Sequence, residues 1–127
     1  MLLFYEVPTY ELLMVAEVRE WLHRLRQTDR ATLFAISDAL TVLRVVGPSL
    51  GRPLVDRITG AQLHNLKELR PASAGSTEVR ILFVFDPRRR AVLLMAGDKS
   101  GQWAGWYAAA IRQAEERYRE YLREVER

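Results

Sequence analysis

The sequence predicts an α+β domain with the element order β-αα-βββ-α: a helical hairpin near the N-terminus, a small, mostly antiparallel sheet and a long C-terminal helix. Three observations predict it. Two apolar stripes at helical spacing, near 16–26 and 30–46, are separated only by "QTD". Three apolar runs follow between residues 63 and 96, and their connections are too short for a crossover, so the strands must be antiparallel neighbours. From Trp103 onward, apolar residues recur in steps of three and four as far as Val125, the pattern of one long amphipathic helix. The 127 residues suit one domain, 1–127, with one core.

Taken in order, residues 1–10 read as an N-terminal extension, because Pro8 interrupts any continuous strand. "YELLMV" (10–15) is the first strand. Ala16, Val18, Trp21, Leu22 and Leu25 place one face of a short helix ending near Arg26. Thr28 or Asp29 then offers a side-chain oxygen as N-cap for a second helix, whose stripe is Leu33, Ile36, Leu40, Leu43 and Val46. Gly47-Pro48 stops it, since glycine suits a left-handed cap and proline cannot continue a helix. Residues 47–62, with three glycines and two prolines, read as an irregular connector. "LHNLKELR" is the next strand, closed by Pro71, which holds Arg70 extended. "TEVRILFVFD" and "AVLLMA" follow, joined by the tight "DPRRR" turn. "GDKSGQ" leads into the last helix, with Trp103, Tyr107, Ile111, Ala114, Tyr118, Leu122 and Val125 as its stripe.

Composition excludes several chemistries. No cysteine is present, so there is no disulfide framework, thiol nucleophile or thiolate metal site. His23 and His64 lie on different elements without ligand spacing, and neither a P-loop nor GxGxxG occurs; no metal and no cofactor are expected. There is no apolar run of about 18 residues and no positive n-region before "MLLFYEVPTYELL", so neither a membrane span nor a signal peptide is expected. A cytoplasmic protein is the default reading. Net charge is +3, carried by 17 arginines and only two lysines, Lys67 and Lys99. Residues 64–99 hold seven Lys/Arg against four Asp/Glu, whereas 100–127 hold five of each. The cationic excess sits in the sheet, which suits an anionic partner.

Strand alternation sorts "EVRILFVFD". Val79, Ile81, Phe83 and Phe85 face one way, toward the hairpin; Arg80, Leu82, Val84 and Asp86 face the other. A half-buried guanidinium is costly unless paired. Arg80 therefore either bridges Glu68 or Asp86, or binds a ligand anion with its planar fork of donors. Lys67 and Arg70 differ in parity, so either a bulge brings both to one site or only one of them lines it, with Arg70 the better placed. The two lysines in so arginine-rich a chain suggest proton transfer, because lysine's pKa responds to its surroundings. Lys99, in the "GDKSG" loop, is placed to lean over an open sheet face. Trp103, Trp106 and Tyr107 either stack on a base or belong to the core.

From "GRPL" to "WY", through "KELRP", "EVRILFVFD" and "LLMAGDK", the chain resembles the phage-derived Gp49-like, HigB-like branch of the RelE/ParE toxin–antitoxin superfamily, over roughly residues 12–125. The resemblance implies a RelE-like sheet and a metal-independent mRNA endonuclease that acts on the ribosome and inhibits translation. It implies a cognate antitoxin, often a small helix-turn-helix protein, through which alone operator DNA would be contacted; no membrane partner is implied. Basic residues at the family's active site fall on Lys67, Arg70, Arg80 and Lys99, with Tyr107 also matched; Glu68 and Trp103, read from this sequence alone, join Tyr107 as candidate RNA-binding residues. The superfamily also contains ParE-like gyrase inhibitors and non-enzymatic partner-binding members, although ParE-type members generally lack such a cation set.

Overall fold

The computed structural model describes residues 8–126. Their order is β1 (Leu12–Met14), α1 (Ala16–Thr28), α2 (Arg30–Val46), a short 3-10 turn (Gly47–Ser49), β2 (Val55–Arg57), β3 (Lys67–Leu69), β4 (Val79–Phe85), β5 (Ala91–Asp98) and α3 (Trp103–Val125). The five strands form one sheet in the order β1-β5-β4-β3-β2. β1 lies parallel to β5 and the other pairings are antiparallel.

The α+β class and the hairpin–strands–helix order agree with the sequence, with one strand added. β2 falls inside the stretch expected to be an irregular connector. Three residues flanked by Gly51, Pro53 and Gly60 carry too little alternation to reveal a strand, but Val55, Asp56 and Arg57 pair with Leu69, Glu68 and Lys67 and supply the sheet's edge. The first ten residues are described only from Pro8, and the Tyr10 amide donates to the Arg44 carbonyl at 2.8 Å.

Asp29 caps α2, accepting from the Thr32 amide at 3.1 Å and the Thr32 hydroxyl at 2.6 Å. Gly47 ends the helix at φ 77° with the Tyr10 ring packed against its Cα, a position where a side chain meets both strain and an aromatic ring. α2 with the turn after it, Arg30–Ser49, is long and apolar enough to cross a membrane by composition alone. Ile36, Ala39 and Leu43 are nonetheless buried in the core.

The sheet has two covered faces. Val79, Ile81 and Phe83 pack with Val18, Ile36, Ala39 and Leu43 of the hairpin, as strand parity requires. The opposite face, which the sequence reading leaves open, is instead closed by α3: Leu82, Val84, Val92 and Leu94 pack against Trp106, Ala110 and Ala114. The buried stripe of α3 is thus centred on Trp106-Ala110-Ala114, and Val125, placed on the stripe from spacing, is 48% exposed. Small residues at 110 and 114 let the helix backbone approach the sheet, which hydrophobicity alone does not signal.

One irregularity matters for the site. Leu82 pairs with Met95 but Phe83 with Leu93, so Leu94 is an extra residue in β5. The bulge leaves the Leu94 carbonyl to a side chain, and Arg117 of α3 donates to it at 2.8 Å while its Nε lies 3.3 Å from Glu17. Glu115 likewise accepts from the Leu63 amide at 2.9 Å. Arg117 and Glu115 thus fasten α3 to the sheet side.

Candidate functional site

The site forms where the C-terminal end of β5 and the start of α3 meet β3 and β4. Cross-strand partners share a face. Glu68 pairs with Leu82 and Arg80 with Gly97, which turns both side chains toward α3. Gly97 is required there, because a Cβ would stand 2.9 Å from the Trp106 indole nitrogen. The space released by this glycine admits Trp106, which then forms the floor beside Arg80.

Arg80 is 8% exposed. Its Nη1 donates to the neighbouring Val79 carbonyl at 2.8 Å, and its buried Nε meets no acceptor among the described residues. Neither expected carboxylate claims it. Asp86 lies at the far end of the strand, where it accepts from Arg90 Nε at 2.7 Å and from the Tyr121 hydroxyl at 2.6 Å. Glu68 is buried and accepts instead from the Tyr107 hydroxyl at 2.6 Å. Burial, then this bond to Glu68, push the Tyr107 phenol up to about 12. Tyr107 is thus a fixed O–H donor.

Lys99 is 5% exposed. Its backbone is set by the turn after β5, in which Asp98 Oδ1 accepts from the Glu78 and Ser100 amides and the Lys99 amide donates to the Glu78 carbonyl at 3.0 Å. Its Nζ lies 3.9 Å from Glu78 Oε2 and 5.5 Å from the centroid of the Tyr107 ring. Burial depresses its pKa, the Arg80 guanidinium adds to the effect, and Glu78 and Glu68 oppose it. Arg70, at the open end of β3, stands 4.0 Å from Glu68 Oε1 and 3.7 Å from Asp56 Oδ2.

Arg70, Arg80, Lys99, Glu68 and Tyr107 therefore converge on one corner of the sheet. Lys67 does not join them. β3 pairs with β4 without a bulge, so Lys67, opposite Phe83, projects to the hairpin side. There its Nζ donates to the Pro48 carbonyl at 3.0 Å and lies 5.8 Å from the Phe85 ring centroid. Of the aromatic trio, Trp106 is core and Tyr107 is a site residue. The Trp103 side chain lies outside the described residues. Glu78 is the member that sequence reasoning missed. Its signal was its place one residue before Val79 at the mouth of β4, across from "GDK". No group of three His, Cys, Asp or Glu that could hold a metal occurs among the described residues.

A cleft of about 290 Å³ adjoins the Glu68–Tyr107 pair, walled by Ile58 and Ile111 and bordered by Arg57 and Thr59. Its size and mixed lining suit one small planar group rather than a long ligand. Among the described residues Arg57 is the cation on its lining, and Arg70 stands 4.0 Å from Glu68, which borders it.

Comparison with known proteins places the chain in a family. The family described as "Phage derived protein Gp49-like (DUF891)" matches residues 20–119. A Mycobacterium tuberculosis H37Rv protein described as "Putative toxin HigB2" is 46% identical over 112 residues, which is 88% of this chain and 54% of that protein. A second from the same organism, "Putative toxin HigB3", is 41% identical over 110 residues, 87% of this chain and 91% of that protein. The chain thus spans about half the length of the first relative and nearly all of the second. No solved structure matches. Matched along most of its length, with a RelE-like order of elements around a corner of cations, the chain belongs to the Gp49-like family of HigB-type toxins.

Proposed function

We propose that this chain is the toxin of a type II toxin–antitoxin pair and that it acts as an endoribonuclease on mRNA at the ribosome, inhibiting translation. One observation carries the reading: three cations, two of them buried, converge on a hydrogen-bonded Glu68–Tyr107 pair, and among the described residues the buried Arg80 guanidinium forms no carboxylate ion pair and leaves its Nε without an acceptor. Burying a guanidinium with so few bonds is unfavourable for stability, so its placement is explained by an anion that arrives later.

RNA supplies its own nucleophile. The 2′-oxygen attacks the adjacent phosphorus, a new O–P bond forms, and the P–O5′ bond breaks to leave a 2′,3′-cyclic phosphate. Arg80 and Arg70 hold the phosphoryl oxygens as negative charge grows on them. Such preorganised donors are each worth on the order of 3 kcal/mol at the transition state. Glu68, fixed by Tyr107, accepts the 2′-OH proton. Lys99, whose ammonium is primed by burial to release a proton, gives one to the departing 5′-oxygen. The cognate antitoxin, a small helix-turn-helix protein in this reading, silences the toxin and is its only route to operator DNA.

The test is induction of the chain and of Arg80→Ala in cells, with 5′-end mapping of transcripts and pulse labelling. The parent arrests protein synthesis and yields new 5′ ends. Arg80→Ala lowers cleavage by about 100- to 1,000-fold while circular dichroism shows an unchanged fold. Arrest of DNA replication before translation would replace this reading with gyrase inhibition.

A further inference from the structure

We propose that the cleft around Lys67, on the hairpin side of the sheet and toward the Asp86 end of β4, is a second phosphate-binding site that takes backbone phosphates of single-stranded RNA flanking the linkage held at Arg80. This rests on the nuclease reading above and extends it to the path of the RNA.

The cleft measures about 430 Å³ and is bordered by Arg57, His64, Asn65, Lys67, Asp86 and Arg89. Three of these carry permanent or near-permanent positive charge and one is a carboxylate. That carboxylate is already occupied: Asp86 accepts from the Arg88 and Arg90 amides, from the Arg90 guanidinium and from the Tyr121 hydroxyl. It therefore does not neutralise the wall facing it. Lys67 is held in place by the Pro48 carbonyl and the Phe85 ring, and among the described residues it forms no ion pair. An ammonium carries three N–H donors, so one bond to Pro48 leaves capacity for a ligand oxygen. Burial and the neighbouring Arg57 both work against its charge, and a bound phosphate would relieve both. Arg89 borders the cleft from φ 62°, a left-handed position that costs a non-glycine residue roughly 1 kcal/mol or more.

Continuity favours RNA over an acidic peptide. Arg57, on the edge strand β2, borders this cleft, a second one of about 320 Å³ shared with Arg52 and Lys67, and the cleft beside Glu68 and Tyr107. A strand whose scissile phosphate sits at Arg80 passes Glu68 and Tyr107 and reaches Lys67 across the edge of β2 at Arg57, where Asp56, on the lining of the middle cleft, is already paired with Arg52 and Arg70. Asn65 and His64 supply donors and acceptors, and Pro48 and Phe85 supply apolar surface for a ribose.

The test is fluorescence anisotropy with a labelled nine-nucleotide 2′-O-methyl RNA, which binds but cannot be cleaved, at several salt concentrations. Lys67→Gln and Arg89→Gln are expected to weaken the nine-mer several-fold and to flatten the salt dependence by about 0.7 in log–log slope for each phosphate no longer neutralised. The corresponding dinucleotide, too short to reach the cleft, should bind both variants as it binds the parent. Because Arg89 is an exposed turn residue, its variant remains informative if Lys67→Gln fails to fold. Parent-like binding of the nine-mer by both variants overturns the proposal. So does a loss confined to a poly-glutamate peptide, which would mark the cleft as a seat for an acidic protein segment. Absence of cleavage on ribosomes would overturn the nuclease reading alone, since these arms read binding.

Discussion

At the scale of single residues, burial acts oppositely on the Lys99 ammonium and the Tyr107 phenol. Removing water disfavours whichever form is charged. It lowers the Lys99 pKa and raises that of Tyr107 to about 12. Lys99 therefore gives up a proton more readily than an ordinary lysine, while Tyr107 keeps its own and serves as a donor to Glu68. As pH rises through the depressed Lys99 value the ammonium is lost, and a general acid would be lost with it. The pH–rate profile of ribosome-dependent cleavage should accordingly show an alkaline limb below pH 10.5, the ordinary lysine value. Lys99→Arg preserves the charge but does not titrate in that range. In that variant the limb should vanish and the plateau rate drop by about 100-fold or more; an unchanged profile would remove Lys99 from proton transfer.

At the scale of elements, the site depends on how α3 lies over β5. Gly97 and the small Ala110 and Ala114 allow a close approach, and Trp106 fills the gap above Gly97. Arg117 then closes the Leu94 bulge and Glu115 holds the Leu63 amide, fixing the helix along its length. Gly97→Ala forces a methyl against the indole. Overpacking of this kind costs about 1–3 kcal/mol, to be read by urea denaturation. Because Arg80 pairs with Gly97 and Tyr107 follows Trp106, the same change should also displace the Glu68–Tyr107 bond. Cleavage is expected to fall further than the loss of folded protein accounts for. A variant with lowered stability and intact specific activity would show that the helix position tolerates error.

At the scale of the whole molecule, a clasp at the far end of β4 from Arg80 ties the β4–β5 turn to α3. Asp86, at the end of β4, binds both Arg90 and Tyr121, and Arg90 Nη2 donates to the Tyr121 hydroxyl at 2.9 Å. Burial works to raise the Asp86 pKa. The bonds from Tyr121 and Arg90 outweigh it, and the net value lies below the ordinary one. Asp29, Asp56 and Asp98 are depressed as well. A carboxyl with a lowered folded-state pKa contributes stability above its unfolded value and loses it as pH falls through the folded one. The melting temperature should thus be flat from pH 7 to about 5 and fall below pH 4. Tyr121→Phe should cost about 1–2 kcal/mol at pH 7 and show a shallower acid fall, which differential scanning calorimetry across pH would check.

The sequence by itself determined the class, the order of the helices and long strands, and the facing of β4, since period two and period 3.6 are local properties of a chain. The family resemblance named Lys67, Arg70, Arg80 and Lys99 as one set, and strand parity alone left open whether Lys67 or Arg70 lines the same face. Only the tertiary structure decided that β2 is a strand, since three residues acquire that identity from a partner. The same holds for the closing of the second face by α3, which rests on the size of Gly97, Ala110 and Ala114 as much as on apolarity. It holds as well for the partition of cations, with Lys67 turned away by an unbroken β3 and Asp86 claimed by Arg90 and Tyr121. Which charge meets which carboxylate is a matter of ångströms across the fold, and spacing along the chain does not carry it.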